Sequence, residues 1–210
     1  MTRYGKLTVG LIGAWFVLSF TASALHLYRT GPNAPPLAFG LAALTPIVVF
    51  LVWFATSKGF RQFTMSLNPR ILTLVQSWRV NGFVFLVLAA YGILPAMFAL
   101  PAGWGDIAIG ATAFFVALKL ASPNRRTFFI VWQVLGIADL VTAVTLGTLA
   151  RLIDPHGIPT NPMNVLPLSL IPTFAVPLFL ILHVICIVQA SRWPTQGRST
   201  IGERLHSTVA

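Results

Sequence analysis

The chain has 210 residues, of which 56% are hydrophobic and 9% are charged, and its mean hydropathy is +0.82. Soluble domains contain roughly 25% charged residues, so this composition excludes an ordinary soluble enzyme or binding domain and indicates an integral membrane protein. The net charge of +10 comes without an extended basic domain. We therefore interpret it as a membrane-topology signal and exclude a nucleic-acid-binding surface.

Six apolar stretches are close to the ~20 residues that a helix needs to cross ~30 Å of hydrocarbon. In chain order, the predicted spans are 7–27, 37–55, 80–100, 107–121, 128–150 and 167–189. The sequence therefore predicts an all-α fold, a polytopic membrane helix bundle with six transmembrane helices in a single domain.

The basic residues predict the orientation of this bundle, because cytoplasmic loops are enriched in lysine and arginine. Twelve of the fourteen lie before the first span, near the loops after the second and fourth spans, or after the sixth, whereas Arg29 and Arg151 lie on the other side. We therefore expect both termini in the cytoplasm, with 192–210 as a short cytoplasmic tail. Anionic lipid head groups are the expected partners of the basic loops.

The first span also resembles a secretory signal, since Arg3 and Lys6 precede an apolar run that ends at Ala22-Ser23-Ala24. A signal peptide has an apolar core of about 7–15 residues. The run here is longer, so we predict an uncleaved first span.

Two connecting segments carry specific expectations. The loop between the second and third predicted spans mixes apolar and basic residues over 60–78, which is typical of a helix lying at the membrane interface. Pro101 to Gly105 predicts a turn between the third and fourth spans. Asp106 would then open the fourth helix as its N-cap, where a carboxylate accepts from free N–H groups. The alternative is an outer-face cluster of Asp106 with His26.

Three polar residues are predicted to lie inside the membrane, where such groups are candidates for function. Measured along their helices at 1.5 Å per residue, Asp139 lies about 20 Å, His183 about 13 Å and Gln133 about 10 Å from the cytoplasmic ends. Consecutive helices are usually neighbours, so Asp139 and His183 are within reach through a water molecule or a modest tilt. They form a candidate proton or cation site, or alternatively a buried structural carboxylate and a packing histidine.

A second polar group is expected at the cytoplasmic mouth of the third span, where Arg79 stands between Gln76 and Asn81. Arginine at the end of a span commonly extends its charged group to the lipid phosphates. The alternative is that Arg79 supplies a positive charge at the entrance of an inner cavity.

The sixth span contains Pro172 and Pro177, which free the carbonyl groups of Leu168 and Thr173 from helical hydrogen bonds. Such carbonyls persist in a membrane only when another group satisfies them. Either the helix is kinked and packed by local hydroxyl groups, or the carbonyls line a cavity that faces Asp139.

No cofactor, metal site or catalytic residue is predicted. The sequence contains no metal-binding spacing, phosphate-binding glycine loop or nucleophile elbow. His26 and His183 are expected at different depths, which excludes a haem held by two histidines.

Three segments carry a resemblance to a known family: Phe98 to Asp106 (FALPAGWGD), Leu135 to Asp139 (LGIAD), and Pro167 to Phe174 (PLSLIPTF) followed by Leu182-His183. With these motifs the chain resembles an uncharacterised family of small bacterial integral membrane proteins over most of helices three to six. The resemblance implies a six-span fold in a bacterial inner membrane. It implies no activity and no site residue.

Three functions are consistent with these residues. The first is a small transporter or proton- or cation-coupled permease with a buried Asp139 and His183 site oriented by Gln133. The second is an accessory or structural subunit, with a helix of a larger complex or a second copy of the chain as partner. The third is a membrane enzyme that binds a lipid or isoprenoid head group through Arg79, Asn81 and Lys119; it is the least expected, because one carboxylate and one histidine supply few catalytic groups.

Overall fold

The structure is a computed structural model that describes residues 3–29 and 37–194, and these residues form seven helices. The helices are α1 Arg3–Ala24, α2 Leu37–Thr56, α3 Lys58–Ser66, α4 Pro69–Ala90, α5 Ala96–Leu120, α6 Arg126–Ile153 and α7 Ile171–Ser191. All except α3 are long and apolar enough to cross a membrane. The prediction of an all-α chain with six long apolar helices is confirmed, and no strand occurs in the described ranges.

The third and fourth predicted spans are wrongly placed. The chain turns at 91–95, where Gly92 adopts a φ of +66° and Pro95 an extended conformation, and not at 101–105. α5 then continues through Pro101 and Gly105 without a break. Proline and glycine are tolerated inside membrane helices, where small residues let a neighbouring helix approach closely. The shift puts Arg79 and Asp106 inside helices that are long and apolar enough to cross a membrane.

The predicted interfacial helix over 60–78 is shorter than expected, since α3 ends at Ser66 and the spanning helix α4 begins at Pro69. The Ser57 hydroxyl accepts from the N–H of Phe60 at 3.2 Å and caps the start of α3. The side-chain amide of Gln189 donates to the carbonyls of Thr64 and Leu67, each at 2.9 Å. These bonds fasten the end of α3 to α7.

Two apolar clusters fill the bundle at different heights. The basic-end cluster joins the starts of α4 and α6 to the ends of α2, α5 and α7, so neighbouring helices run in opposite directions. Among its members are Phe50, Leu72, Val116, Phe129, Ile185 and Ala190. The opposite-end cluster joins the end of α4 to the start of α5, and its buried members are Phe85, Leu94, Phe98, Ala99, Ala102 and Met163. The polar residues of the middle of the bundle lie between the two clusters.

Helix α1 is attached to the start of α7, whose first turn is a π-helix over Ile171–Ala175. The carbonyl of Thr173, freed by Pro177, accepts from the indole N–H of Trp15 at 3.0 Å and from the hydroxyl of Ser19 at 3.4 Å. The carbonyl of Leu168, four residues before Pro172, accepts from the backbone N–H of Ile171 at 3.0 Å. The interpretation of a carbonyl-lined cavity facing Asp139 is therefore wrong for Thr173, because its carbonyl faces α1.

Candidate functional site

The site begins with a change of helical pitch inside α4. Residues Gln76–Gly82 form a 3₁₀-helix between two α-helical segments, Pro69–Val75 and Phe83–Ala90. A 3₁₀-helix has three residues per turn, so side chains three positions apart lie directly above one another. Gln76, Arg79 and Gly82 follow this spacing, and all three are buried.

The guanidinium of Arg79 binds two carboxylates from two different helices. Its Nε donates to Oδ1 of Asp106 on α5 at 2.7 Å, and its Nη2 donates to Oδ2 of Asp139 on α6. The Arg79 side chain is 0% exposed, whereas both aspartate side chains are 16% exposed. Three helices are thus joined at one cation, which we call the charge cluster: Arg79, Asp106 and Asp139.

The remaining guanidinium nitrogen, Nη1, faces α6 and α7. It donates to the carbonyl of Gly136 at 3.3 Å and lies 3.3 Å from Nε2 of His183. Arginine has five N–H donors and no acceptor, so a buried guanidinium needs several acceptors around it. The surrounding helices supply four: one oxygen of each aspartate, the carbonyl of Gly136 and Nε2 of His183.

A row of hydrogen bonds continues from His183 toward the basic end of the bundle. Nδ1 of His183 lies 2.5 Å from Oε1 of Gln133, and the amide nitrogen of Gln133 donates to the hydroxyl of Thr73 at 3.2 Å. That hydroxyl donates to the carbonyl of Pro69 at 2.8 Å. His183, Gln133 and Thr73 are each 0% exposed, so the row is shielded from the surface along its length.

Two glycines make room for these side chains. A Cβ atom at Gly105 would collide with the carboxylate of Asp139, and one at Gly136 would collide with the imidazole of His183. Glycine at these positions therefore lets α5, α6 and α7 approach closely enough to enclose the polar groups, as small residues do in other membrane helix pairs.

The charge cluster carries one negative charge in excess when both carboxyl groups are ionised. Both ion pairs found among residues 3–29 and 37–194 involve the same arginine. An unbalanced charge inside a membrane bundle costs about 3 kcal/mol or more. The arrangement therefore favours binding one exchangeable positive charge, either a proton on a carboxyl group or a small cation.

The structure places the predicted residues as follows. Asp139, His183 and Gln133 do share one region, but Arg79 stands between Asp139 and His183 and contacts both. The interpretation of Arg79 as a residue of the cytoplasmic mouth is wrong, since it lies ten positions into α4, about 15 Å from the helix start. Gln76 is also buried, and its amide nitrogen donates to the carbonyl of Phe179 at 3.2 Å.

Three other expectations fail in an instructive way. Asp106 is not an N-cap and does not belong to an outer-face cluster, because α5 begins at Ala96 and Asp106 lies in its interior, paired with Arg79. His26 is exposed in the turn after α1. Asn81 is exposed and donates to the carbonyl of Trp78 at 2.9 Å, so it does not take part in the charge cluster.

In the described part of the chain, no group of three or more histidine, cysteine, aspartate or glutamate side chains could hold a metal ion. Sequence reasoning missed Arg79 and Asp106 as partners. A usable signal was present. Of the four acidic residues in the chain, Asp106 directly follows a glycine and Asp139 lies three residues after one, and both stand in apolar segments.

Comparisons with known proteins give one family and no activity. No curated protein and no solved structure matches the chain significantly. A family model described as "Domain of unknown function (DUF8737)" matches residues 35–190, which include α2 to α6 and nearly all of α7. The resemblance to an uncharacterised family is supported to that extent. Since the match covers about three-quarters of the sequence, the chain belongs to the DUF8737 family.

Proposed function

We propose that this protein is a small proton- or cation-coupled permease of a bacterial inner membrane, and that the charge cluster is its coupling site. The single observation that carries the proposal is the ratio of charges: two carboxylates share one fully buried guanidinium. A purely architectural ion pair needs one carboxylate. The second makes the site one in which a positive ion can bind and leave.

The packing above and below the site supports the same function. The charge cluster lies between the basic-end cluster and the opposite-end cluster, so apolar side chains separate it from both ends of the bundle. A coupling site in a transporter must be closed to at least one side at any moment, and membrane transporters place such sites near the middle of the bilayer. The position of the charge cluster between the two apolar clusters supports this role.

The proposed orientation, with both termini in the cytoplasm, rests on the basic residues. Arg79 no longer counts, because it is inside the bundle. Of the other described lysines and arginines, nine belong to the basic end and two, Arg29 and Arg151, to the opposite end. A reporter enzyme active only in the cytoplasm, fused after residue 210, is expected to be active. An inactive fusion would mean that the orientation is the reverse of the one proposed.

The test of function is ion flux into liposomes containing the purified full-length chain. A pH-sensitive dye is enclosed, and a potassium gradient with valinomycin makes the interior negative. Proton entry is expected to exceed that of empty liposomes. Asp106→Asn and Asp139→Asn are each expected to reduce it to the empty-liposome rate. Asp154→Asn, which changes an exposed carboxylate at the end of α6, is the matched control and is expected to leave it unchanged.

A parallel measurement with a sodium gradient identifies the ion. Sodium-dependent flux that vanishes in the same two variants would make sodium the coupling ion. The proposal fails if the wild-type chain moves neither ion, or if both asparagine variants keep the wild-type rate. Native purification together with a larger membrane complex, and no flux alone, would favour the accessory subunit. The lipid-acting enzyme has lost support, because the side chain of Arg79 is buried and cannot meet a head group.

A further inference from the structure

The row of hydrogen bonds behind the charge cluster starts at Arg79, and the chemistry of the guanidinium determines which group donates in each bond. Arg79 can only donate, so Nε2 of His183 must accept from it, which requires the proton of the neutral imidazole to be on Nδ1. Nδ1–H then donates to Oε1 of Gln133, whose amide nitrogen donates to Thr73. Thr73 donates to the carbonyl of Pro69. Every bond points from the charge cluster to the basic end.

We infer that His183 and Gln133 are positioning residues for Arg79, and that the row from Arg79 to Pro69 holds the guanidinium in place without conducting protons. This inference rests on the proposed function, since it concerns how the coupling site is loaded. It replaces the alternative in which His183 relays protons between Asp139 and the basic end of the bundle.

Two links in the row prevent proton transfer. The guanidinium adjoining Nε2 of His183 does not release its proton in proteins, so the histidine cannot receive one from that side. The next link is the amide of Gln133, which accepts through oxygen and donates through nitrogen and is not an acid or a base. A proton that binds Asp106 or Asp139 must therefore come by a route that does not pass through His183.

Buried side chains pack against the row. The indole of Trp132 lies 5.8 Å from the imidazole, centroid to centroid, and its N–H donates to the hydroxyl of Thr112 at 3.0 Å. Cys186 lies 3.9 Å from the hydroxyl of Thr73 and is 1% exposed. Among the described residues, the titratable groups recorded in contact with the imidazole or the row are Arg79 and the Cys186 thiol.

The first test observes the tautomer directly. Nitrogen-15 NMR of histidine-labelled full-length protein in lipid, with His183→Gln used to assign its signals, is expected to show a neutral His183 protonated on Nδ1. A proton on Nε2, or an imidazolium, would overturn the inference. This measurement needs no transport, so it is informative even when the flux proposal fails.

The second test compares two substitutions of His183 in the liposome flux assay. Glutamine can accept from Arg79 and donate to Gln133 but cannot carry a proton, whereas alanine can do neither. We expect His183→Gln to keep most of the wild-type proton flux and His183→Ala to lose it. His156→Gln, at an exposed position, is the matched control.

The pattern of results separates the two proposals. Equal loss of flux in His183→Gln and His183→Ala, with both variants folded and the wild-type chain active, would make the histidine a proton carrier and refute the inference. Absence of flux in the wild-type chain would refute the permease, while the NMR result would still decide the orientation of the row.

Discussion

The first two of the six long apolar helices and the last four differ in how much of each helix is buried. In the most apolar stretch of α1 and of α2, 11% and 6% of residues are buried, whereas the corresponding fractions for the last four spans are 28%, 39%, 28% and 28%. α1 and α2 therefore present most of their surface to the surroundings. The last four spans instead enclose a charged centre. The difference shows that apolar length alone does not decide which helices pack together, and that polar contacts accompany the closer packing of the last four.

Removing the shared cation should have the largest effect on the second region. Arg79→Gln leaves two buried carboxyl groups without their counter-charge, and breaking a buried ion pair costs about 3–5 kcal/mol. We expect a large loss of unfolding free energy, measured by denaturant or thermal unfolding in detergent. Arg125→Gln, at an exposed position, should change little. A wild-type unfolding midpoint for Arg79→Gln would show that the charge cluster does not hold α4, α5 and α6 together.

Glycine substitutions compare the two regions most directly. Gly105→Ala and Gly136→Ala each put a methyl group into a charge-cluster side chain or His183, and overpacking costs about 1–3 kcal/mol. Gly10→Ala and Gly13→Ala in α1 meet nothing within 4 Å, so the better helix propensity of alanine should stabilise them by up to about 1 kcal/mol. The same unfolding assay checks all four variants. If all four change the free energy of unfolding in the same direction, the two regions do not differ in this respect.

The attachment of α1 should depend on one indole hydrogen bond. Trp15→Phe keeps the aromatic contact with Phe174 but leaves the Thr173 carbonyl with only the hydroxyl of Ser19 at 3.4 Å. A loss of about 1–2 kcal/mol is expected, since a buried carbonyl then lacks its better donor. Trp104→Phe changes a residue that is 63% exposed and serves as the control. Equal stability of the two variants would mean that α1 is held by apolar contacts alone.

The smallest change in stability is expected for the single asparagine variants of the charge cluster. Asp106→Asn or Asp139→Asn leaves one carboxylate paired with Arg79, and the new amide oxygen still accepts, so the cost should be less than about 1 kcal/mol. The double variant removes both negative charges and should be far less stable. If one single variant is as unstable as the double, that carboxylate alone is the structural partner of Arg79.

Hydropathy predicted α2 far better than α4 and α5. α2 has a mean hydropathy of 2.4 in its best window, and its predicted limits, 37–55, differ from Leu37–Thr56 by one residue. α4 and α5 have the lowest values, 1.5 and 1.3, because each contains a charged residue of the site. Their charges and the Pro101 to Gly105 segment imitate loop sequence, and this displaced both predicted spans.

The candidate site was accessible to sequence reasoning only where helical periodicity applies. The rise per residue put Gln133 and His183 at similar depths in their helices, and the structure brings Nδ1 of His183 within 2.5 Å of Oε1 of Gln133. Arg79 could not be found by the same means. Its partners lie 27 and 60 positions away in the chain, and its own backbone departs from the α-helical period.

The 3₁₀ segment of α4 also affects the length of that helix. A 3₁₀-helix rises about 2.0 Å per residue and an α-helix about 1.5 Å, so the seven residues Gln76–Gly82 extend α4 by about 3.5 Å beyond an α-helix of the same sequence. At 100° per residue, Gln76 and Gly82 would instead lie about 60° to either side of Arg79. The height of the guanidinium relative to the two aspartates is thus set in part by the rise of the backbone over this segment.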